Sequence, residues 1–124
     1  MWATQKGHKA IVKLLLENKA NVDLKDDFGL TPLFWAIKEG HKAIVKLLLK
    51  NKANVNLKDL LSYTPLAWAA EKGYKDIVKL LLENKANVDL KDNYGYTPLS
   101  WAVENRHEAV IKLLLESKAN IDTP

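Results

Sequence analysis

The chain has 124 residues, 48% of them hydrophobic and 27% charged, with a formal net charge of +4 from 19 basic and 15 acidic side chains. That is enough chain for one soluble domain with a core. It has no cysteine, which excludes disulfides, thiolate zinc sites and thiol nucleophiles and suits a reducing, intracellular setting, cytoplasmic or nuclear. No apolar run reaches the ~18 residues that would span a bilayer. The start, Met1-Trp2, has no basic segment, apolar stretch and small-residue cleavage site in succession, so no signal peptide is expected.

Read in chain order, one pattern returns every 33 residues. Trp2-Ala3 recurs as Trp35-Ala36, Trp68-Ala69 and Trp101-Ala102. Lys-Leu-Leu-Leu begins at Lys13, Lys46, Lys79 and Lys112, and Lys-Ala-Asn at Lys19, Lys52, Lys85 and Lys118. Thr31-Pro32-Leu33 returns as Thr64-Pro65-Leu66 and Thr97-Pro98-Leu99, with no insertion to break the register. Such self-similarity is the mark of a repeat architecture. The expected organisation is a single array: a partial unit over 1–25, then full units over 26–58, 59–91 and 92–124.

Each full unit reads as a turn and two short helices. In the unit 26–58, Thr31 is a helix N-cap, and Pro32 occupies the first helical position, where its missing N–H costs nothing. Leu33, Ala36 and Ile37 form an apolar stripe, and Gly40 stops the helix. A second helix over about His41 to Asn51 carries Ile44, Val45, Leu47, Leu48 and Leu49. Helices shorter than ~12–15 residues are marginal alone in water. Stacking must bury these faces, so the array is the folding unit.

The motifs Thr-Pro-Leu-x-Trp-Ala, Gly40-His41 and its counterpart Gly73-Tyr74, Ile-Val-Lys-Leu-Leu-Leu and Ala-Asn-Val together resemble the ankyrin repeat over the whole chain. The resemblance implies an all-α solenoid of stacked helix-turn-helix units joined by β-hairpin-like turns, and a non-enzymatic scaffold that binds proteins. There are departures. Trp35, Trp68 and Trp101 stand where the family usually has Leu, and Phe34, Ala67 and Ser100 where it has His. Lys52 and Lys85 replace a Gly after the second helix, Arg106 an inter-helix Gly, and Ser62 a hairpin Gly. Either these lysines enter the left-handed region, or the preceding Asn51 and Asn84 do so. No capping repeat is evident at either end, which suggests a portion of a longer array or an engineered one.

The resemblance also implies a concave partner-binding groove formed by the turn tips and the first helices. The tip positions are Asp27, Phe28 and Leu30, then Leu60, Leu61 and Tyr63, then Asn93, Tyr94 and Tyr96. The groove side of the first helices carries Lys38 and Glu39, Glu71 and Lys72, Glu104 and Asn105. Seven of the nine tip residues are aromatic or aliphatic where a plain solvated turn would be polar. They suggest one apolar strip rimmed by charge, the usual form of an interaction surface. Leu30, Tyr63 and Tyr96 are expected to be displayed. Phe28, Leu61 and Tyr94 either join them or tuck against the neighbouring turn. The tryptophan ladder is read as packing, not ligand stacking.

Other chemistry finds little support. His8, His41 and His107 share a repeat position with Tyr74 and stack at a helix spacing of roughly 8–10 Å, too far apart for one metal. No nucleophile elbow or Gly-rich phosphate loop occurs, and no cofactor or metal is expected. Asp26 and Asp27 sit at a turn, where Asp bonds the local backbone. Lys25, Lys58 and Lys91 align with the helical lysines, but Asp and Glu interleave with them, so they read as a solvated face and nucleic acid as a poor fit. The resemblance further places Asn56 where asparaginyl hydroxylases act in some members, with Asn54 in place of the usual acidic neighbour. The leading expectation is a monomeric protein-binding module. The rival is a structural or engineered array with no dedicated partner.

Overall fold

A computed structural model of the chain describes residues 22–117. The partial unit 1–25, with Trp2, His8, Lys13 and Lys19, lies almost entirely outside the described residues, as does Lys118. Among the described residues six helices follow in order: α1 (Pro32–Lys38), α2 (Lys42–Lys50), α3 (Pro65–Lys72), α4 (Lys75–Glu83), α5 (Pro98–Glu104) and α6 (Glu108–Glu116). No strand occurs among the described residues, so the connecting turns are hairpin-like in path only. Each is closed by two backbone bonds: Asp26 N–H to Leu30 O, Asp59 N–H to Tyr63 O and Asp92 N–H to Tyr96 O, all 2.9 Å, and Gly29, Ser62 and Gly95 N–H to the Asp26, Asp59 and Asp92 carbonyls, all 3.0 Å.

The first helices start as their sequence dictates. The hydroxyl oxygens of Thr31, Thr64 and Thr97 accept from the backbone N–H three residues on, at 3.4, 3.1 and 3.2 Å, with Pro following each cap. Ser100 returns the bond to the Thr97 N–H, completing a capping box. The helices stop where the chain turns left-handed, at Gly40 (φ 70°), Gly73 (φ 74°) and Arg106 (φ 58°). The following N–H groups of His41, Tyr74 and His107 then reach back to Ala36, Ala69 and Ala102 carbonyls at 2.9–3.0 Å.

The second helices end in the same way, and the residue that turns is lysine. Lys52 and Lys85 have φ of 66° and 67°, while Asn51 and Asn84 stay at −92° and −100°. The asparagines serve differently: their side-chain amides donate to the Leu47 and Leu80 carbonyls at 2.9 and 2.8 Å, a second bond to acceptors that their own backbone N–H groups also reach.

Packing forms two layers. α1, α3 and α5 stack in one, α2, α4 and α6 in the other, and each first helix also packs on its own second helix. The core runs between them without a break through Leu33, Ile37, Ile44, Val45, Leu48, Leu66, Ile77, Val78, Leu81, Val110 and Leu114. Each large side chain of this kind contributes about 1.5–3 kcal/mol on burial, through contacts both within its unit and with neighbouring units.

Polar staples repeat along the stack. Asp23 Oδ1 accepts from Asn54 N–H at 2.9 Å, and Asn56 Oδ1 from Asn87 N–H at 2.8 Å. The Asn56 amide oxygen is therefore a structural acceptor between units. The ammonium groups of Lys25 and Lys58 donate to the Lys58 and Lys91 carbonyls at 3.2 and 3.4 Å. These two lysines tie successive units together, which corrects their reading as part of a purely solvated face.

Candidate functional site

Each turn is built around an aspartate. Asp26 Oδ1 accepts from the Phe28 and Leu30 N–H groups at 2.9 and 3.0 Å, Asp59 Oδ1 from Leu61 and Tyr63, both at 2.9 Å, and Asp92 Oδ1 from Tyr94 and Tyr96 at 2.8 and 3.1 Å. The second oxygen of each accepts an indole N–H nine residues on: Trp35 to Asp26 at 2.7 Å, Trp68 to Asp59 at 3.0 Å and Trp101 to Asp92 at 2.7 Å. One carboxylate thus shapes the turn and ties it to the first helix. Partial burial pushes the Asp26 carboxyl upward, but bonds from the Leu30 N–H, the Trp35 indole and the Phe28 N–H outweigh it and hold the group below its ordinary value. Sequence inspection missed this clasp. The signal was present, as Asp and Trp nine residues apart in all three full units.

The tip residues divide in a way opposite to the leading expectation. Leu30 is only 7% exposed, which corrects its assignment to the displayed strip. Tyr63 and Tyr96 are half-buried, their ring centroids 5.4 and 4.9 Å from that of Trp101. The reason is geometric. Both the second and the fourth residue after the aspartate donate their N–H to its carboxylate, but lying two apart in the turn the second faces solvent and the fourth faces the stack. The residues displayed are Phe28, Leu60, Leu61 and Tyr94, with exposures of 67, 69, 48 and 62%. Phe28, Leu61 and Tyr94 therefore do not tuck against the neighbouring turn.

The charged groove positions also separate. Lys38 is exposed and its ammonium lies 4.6 Å from the Trp35 ring centroid, within cation–π range. Glu39 caps α1 and is exposed, as are Lys72, Glu104, Asp27 and Asn93. Asn93 donates its N–H to the Leu61 carbonyl at 3.0 Å, linking two turns. The Asn105 amide donates to the Trp101 carbonyl at 3.0 Å. Glu71 is half-buried, and its backbone carbonyl lies 2.8 Å from Nε2 of His107, a contact between units. Burial first, then the charges of Glu71 and Asp92, push the Tyr63 phenol up to about 12.

Between the first two turns lies a cleft of about 480 Å³, lined by Phe28, Leu30, Trp35, Lys38, Asp59, Leu60, Leu61 and Trp68. It brings together five of the residues expected at the groove and adds Trp35, Asp59 and Trp68. Trp35, Trp68 and Trp101 are thus both packed and accessible: each is half-buried and bonded at its nitrogen, and the first two line the cleft. A smaller hollow of about 310 Å³ lies at the start of the second helices, among Gly40, Lys42, Tyr74, Lys75, Asp76 and Ile77. There the exposed Lys42 and Asp76 approach to 3.5 Å, a pair of little energetic weight.

Among the described residues, no group of three or more His, Cys, Asp or Glu side chains is placed to hold a metal ion. No helix among them is long and apolar enough to cross a membrane. A family model described as ankyrin repeats, three copies, matches residues 1–59 and again 59–124. A search among curated proteins found no match. Ankyrin repeats generally mediate protein–protein interaction and are typically non-enzymatic. With stacked helix pairs, Thr-Pro-capped first helices and a family match that spans its length, the chain belongs to the ankyrin-repeat family.

Proposed function

We propose that the chain is a protein-binding scaffold whose partner seats on the row of turn tips and on the flanking first helices. The observation that carries this is the display of Phe28, Leu60, Leu61 and Tyr94, large apolar side chains kept at the tips of turns that an aspartate carboxylate closes. Exposed apolar groups rimmed by charge favour association. The Asp–Trp clasps hold the tips rigid before a partner arrives, so little chain entropy is lost on binding. We further place the chain in the cytoplasm or nucleus as a monomer with a protein partner. Nucleic acid is disfavoured because acids interleave the lysines and because the Lys25 and Lys58 ammonium groups are already engaged within the stack.

The test is a triple variant, Phe28→Ser, Leu61→Ser and Tyr94→Ser, compared with wild type in photocrosslinking from a probe placed at Asp27. The expected result is loss of the crosslinked protein partner with an unchanged helical spectrum and melting temperature. Equal crosslinking by the triple variant would falsify the reading. Serine at Leu30, Tyr63 and Tyr96 is the wrong test, since these side chains are buried or stacked and their loss would destabilise the turns.

A further inference from the structure

We propose that the cleft between the first two turns receives one large aromatic or aliphatic side chain of the partner with a carboxylate beside it. This rests on the reading of the tips as the partner-binding surface and names the partner's chemistry there.

The size and walls of the cleft come first. At about 480 Å³ it lies within the range of small binding pockets, and Phe28, Leu30, Trp35, Leu60, Leu61 and Trp68 make it mostly apolar. The chain itself shows what fits such a place. One unit further on, Tyr63 occupies the position equivalent to Leu30 and lays its ring 5.4 Å from Trp101. Leu30 is too short to do the same to Trp68, so that indole remains as a wall of the cleft. An incoming ring would make in trans the contact that Tyr63 makes in cis.

Charge selects the neighbour of that side chain. Two ionisable residues line the cleft, Asp59 and Lys38. The Asp59 carboxylate already accepts from the Leu61 and Tyr63 N–H groups and from the Trp68 indole, at 2.9, 2.9 and 3.0 Å. With about four acceptor sites on a carboxylate, it has little left for a ligand cation. Lys38 stands at the rim on an exposed, flexible stem. It meets an incoming carboxylate with a charge-assisted bond and repels an incoming ammonium. The net charge of +4 favours the same approach.

The test uses a random 12-residue displayed peptide library selected on the intact 124-residue chain. Enriched peptides are then titrated by fluorescence polarisation. They are expected to carry Phe, Tyr, Trp, Leu or Met with Asp or Glu within two positions. Leu30→Tyr, which plugs the cleft as Tyr63 plugs its own interval, should weaken them ~10-fold or more. Lys38→Glu, on an exposed side chain, should turn the preference from acidic to basic neighbours. This second variant decides the matter if Leu30→Tyr fails to fold. Enriched peptides without acidic residues, or an unchanged preference with Lys38→Glu, overturn the proposal. So does equal affinity for a folded Leu30→Tyr protein. If such peptides are still lost with Phe28→Ser and Tyr94→Ser, the broader tip reading survives alone. No enrichment, accompanied by concentration-dependent dimerisation, would mean that a second copy covers the strip and both readings fail.

Discussion

The first and second intervals between turns share a backbone and an Asp–Trp clasp, yet one is open and the other closed. In the first, Leu30 leaves a cleft beside Trp68. In the second, Tyr63 and Tyr96 both pack on Trp101. Between the two turns, the first interval has the exposed Leu60 where the second has Asn93. The contrast shows that a repeat architecture sets where side chains stand, while one residue per unit decides whether a site exists there.

The largest way to break the comparison is to remove the clasp that both intervals share. Asp59→Ala takes the acceptor from three donors at once, and should cost about 2–3 kcal/mol in urea unfolding. A loss under ~0.5 kcal/mol would mean that water replaces the carboxylate and that the clasp does not hold Trp68 in place.

A second contrast concerns the turn glycines. A Cβ on Gly29 would enter a left-handed position at φ 75° and meet Leu60 side-chain and backbone atoms at 3.1–3.2 Å, whereas one on Gly95, at φ 79°, meets nothing within 4 Å. Gly29→Ala should therefore cost about 2 kcal/mol and Gly95→Ala about 1 kcal/mol, the latter from backbone strain alone. Equal losses would show that the Leu60 approach yields freely.

The closed interval can be measured directly. A double-mutant cycle between Tyr63 and Trp101 should return a coupling of about 1 kcal/mol, and a cycle between Leu30 and Trp68 clearly less. If the two agree, the aromatic stack does not distinguish the intervals.

Smaller and opposite in sign are the gains from glycine. Ser62 (φ 65°) holds the left-handed conformation that Gly29 and Gly95 take at the equivalent position, and Lys52 and Lys85 hold it at the ends of the second helices. Ser62→Gly, Lys52→Gly and Lys85→Gly should each raise stability by about 0.5–1 kcal/mol, seen as a higher melting temperature. An unchanged or lower value would place the unfolded-chain entropy above the relief of strain.

The smallest effect is on pH. Tyr63 ionises only at about 12 in the fold against an ordinary 10.0, so the fold prefers its neutral form. That stability is complete below pH 10 and is lost between pH 10 and about 12, a slope that Tyr63→Phe should remove. Asp26 has the opposite sense. Its lowered value gives stability that is present above its ordinary 3.8 and lost as pH falls through the folded value, and Asp26→Asn should flatten that limb.

How much of this was legible beforehand depends on the range of the interaction involved. The Thr-Pro starts, the glycine stops and the apolar stripes are local, acting over one or two helical turns, and each appears where its residues predict it. The choice between Lys52 and Asn51 at the helix end was open in the sequence. Both can be reconciled with a left-handed cap, and only the observed angles place it on lysine. The roles within the tip row were misjudged for a further reason. Leu30 and Phe28 are both apolar and two residues apart, both donate an N–H to Asp26, and nothing in their identity says that Leu30 faces the stack and Phe28 the solvent.

Period, helix starts and stops and the core faces follow from the order of residues, because capping chemistry and 3.6-residue spacing act within a unit. The cleft, the rings on Trp101 and the engagement of Lys25 and Lys58 required the stack itself. Apart from Tyr96 on Trp101, which is local, they arise between residues of successive units that meet only once those units have packed.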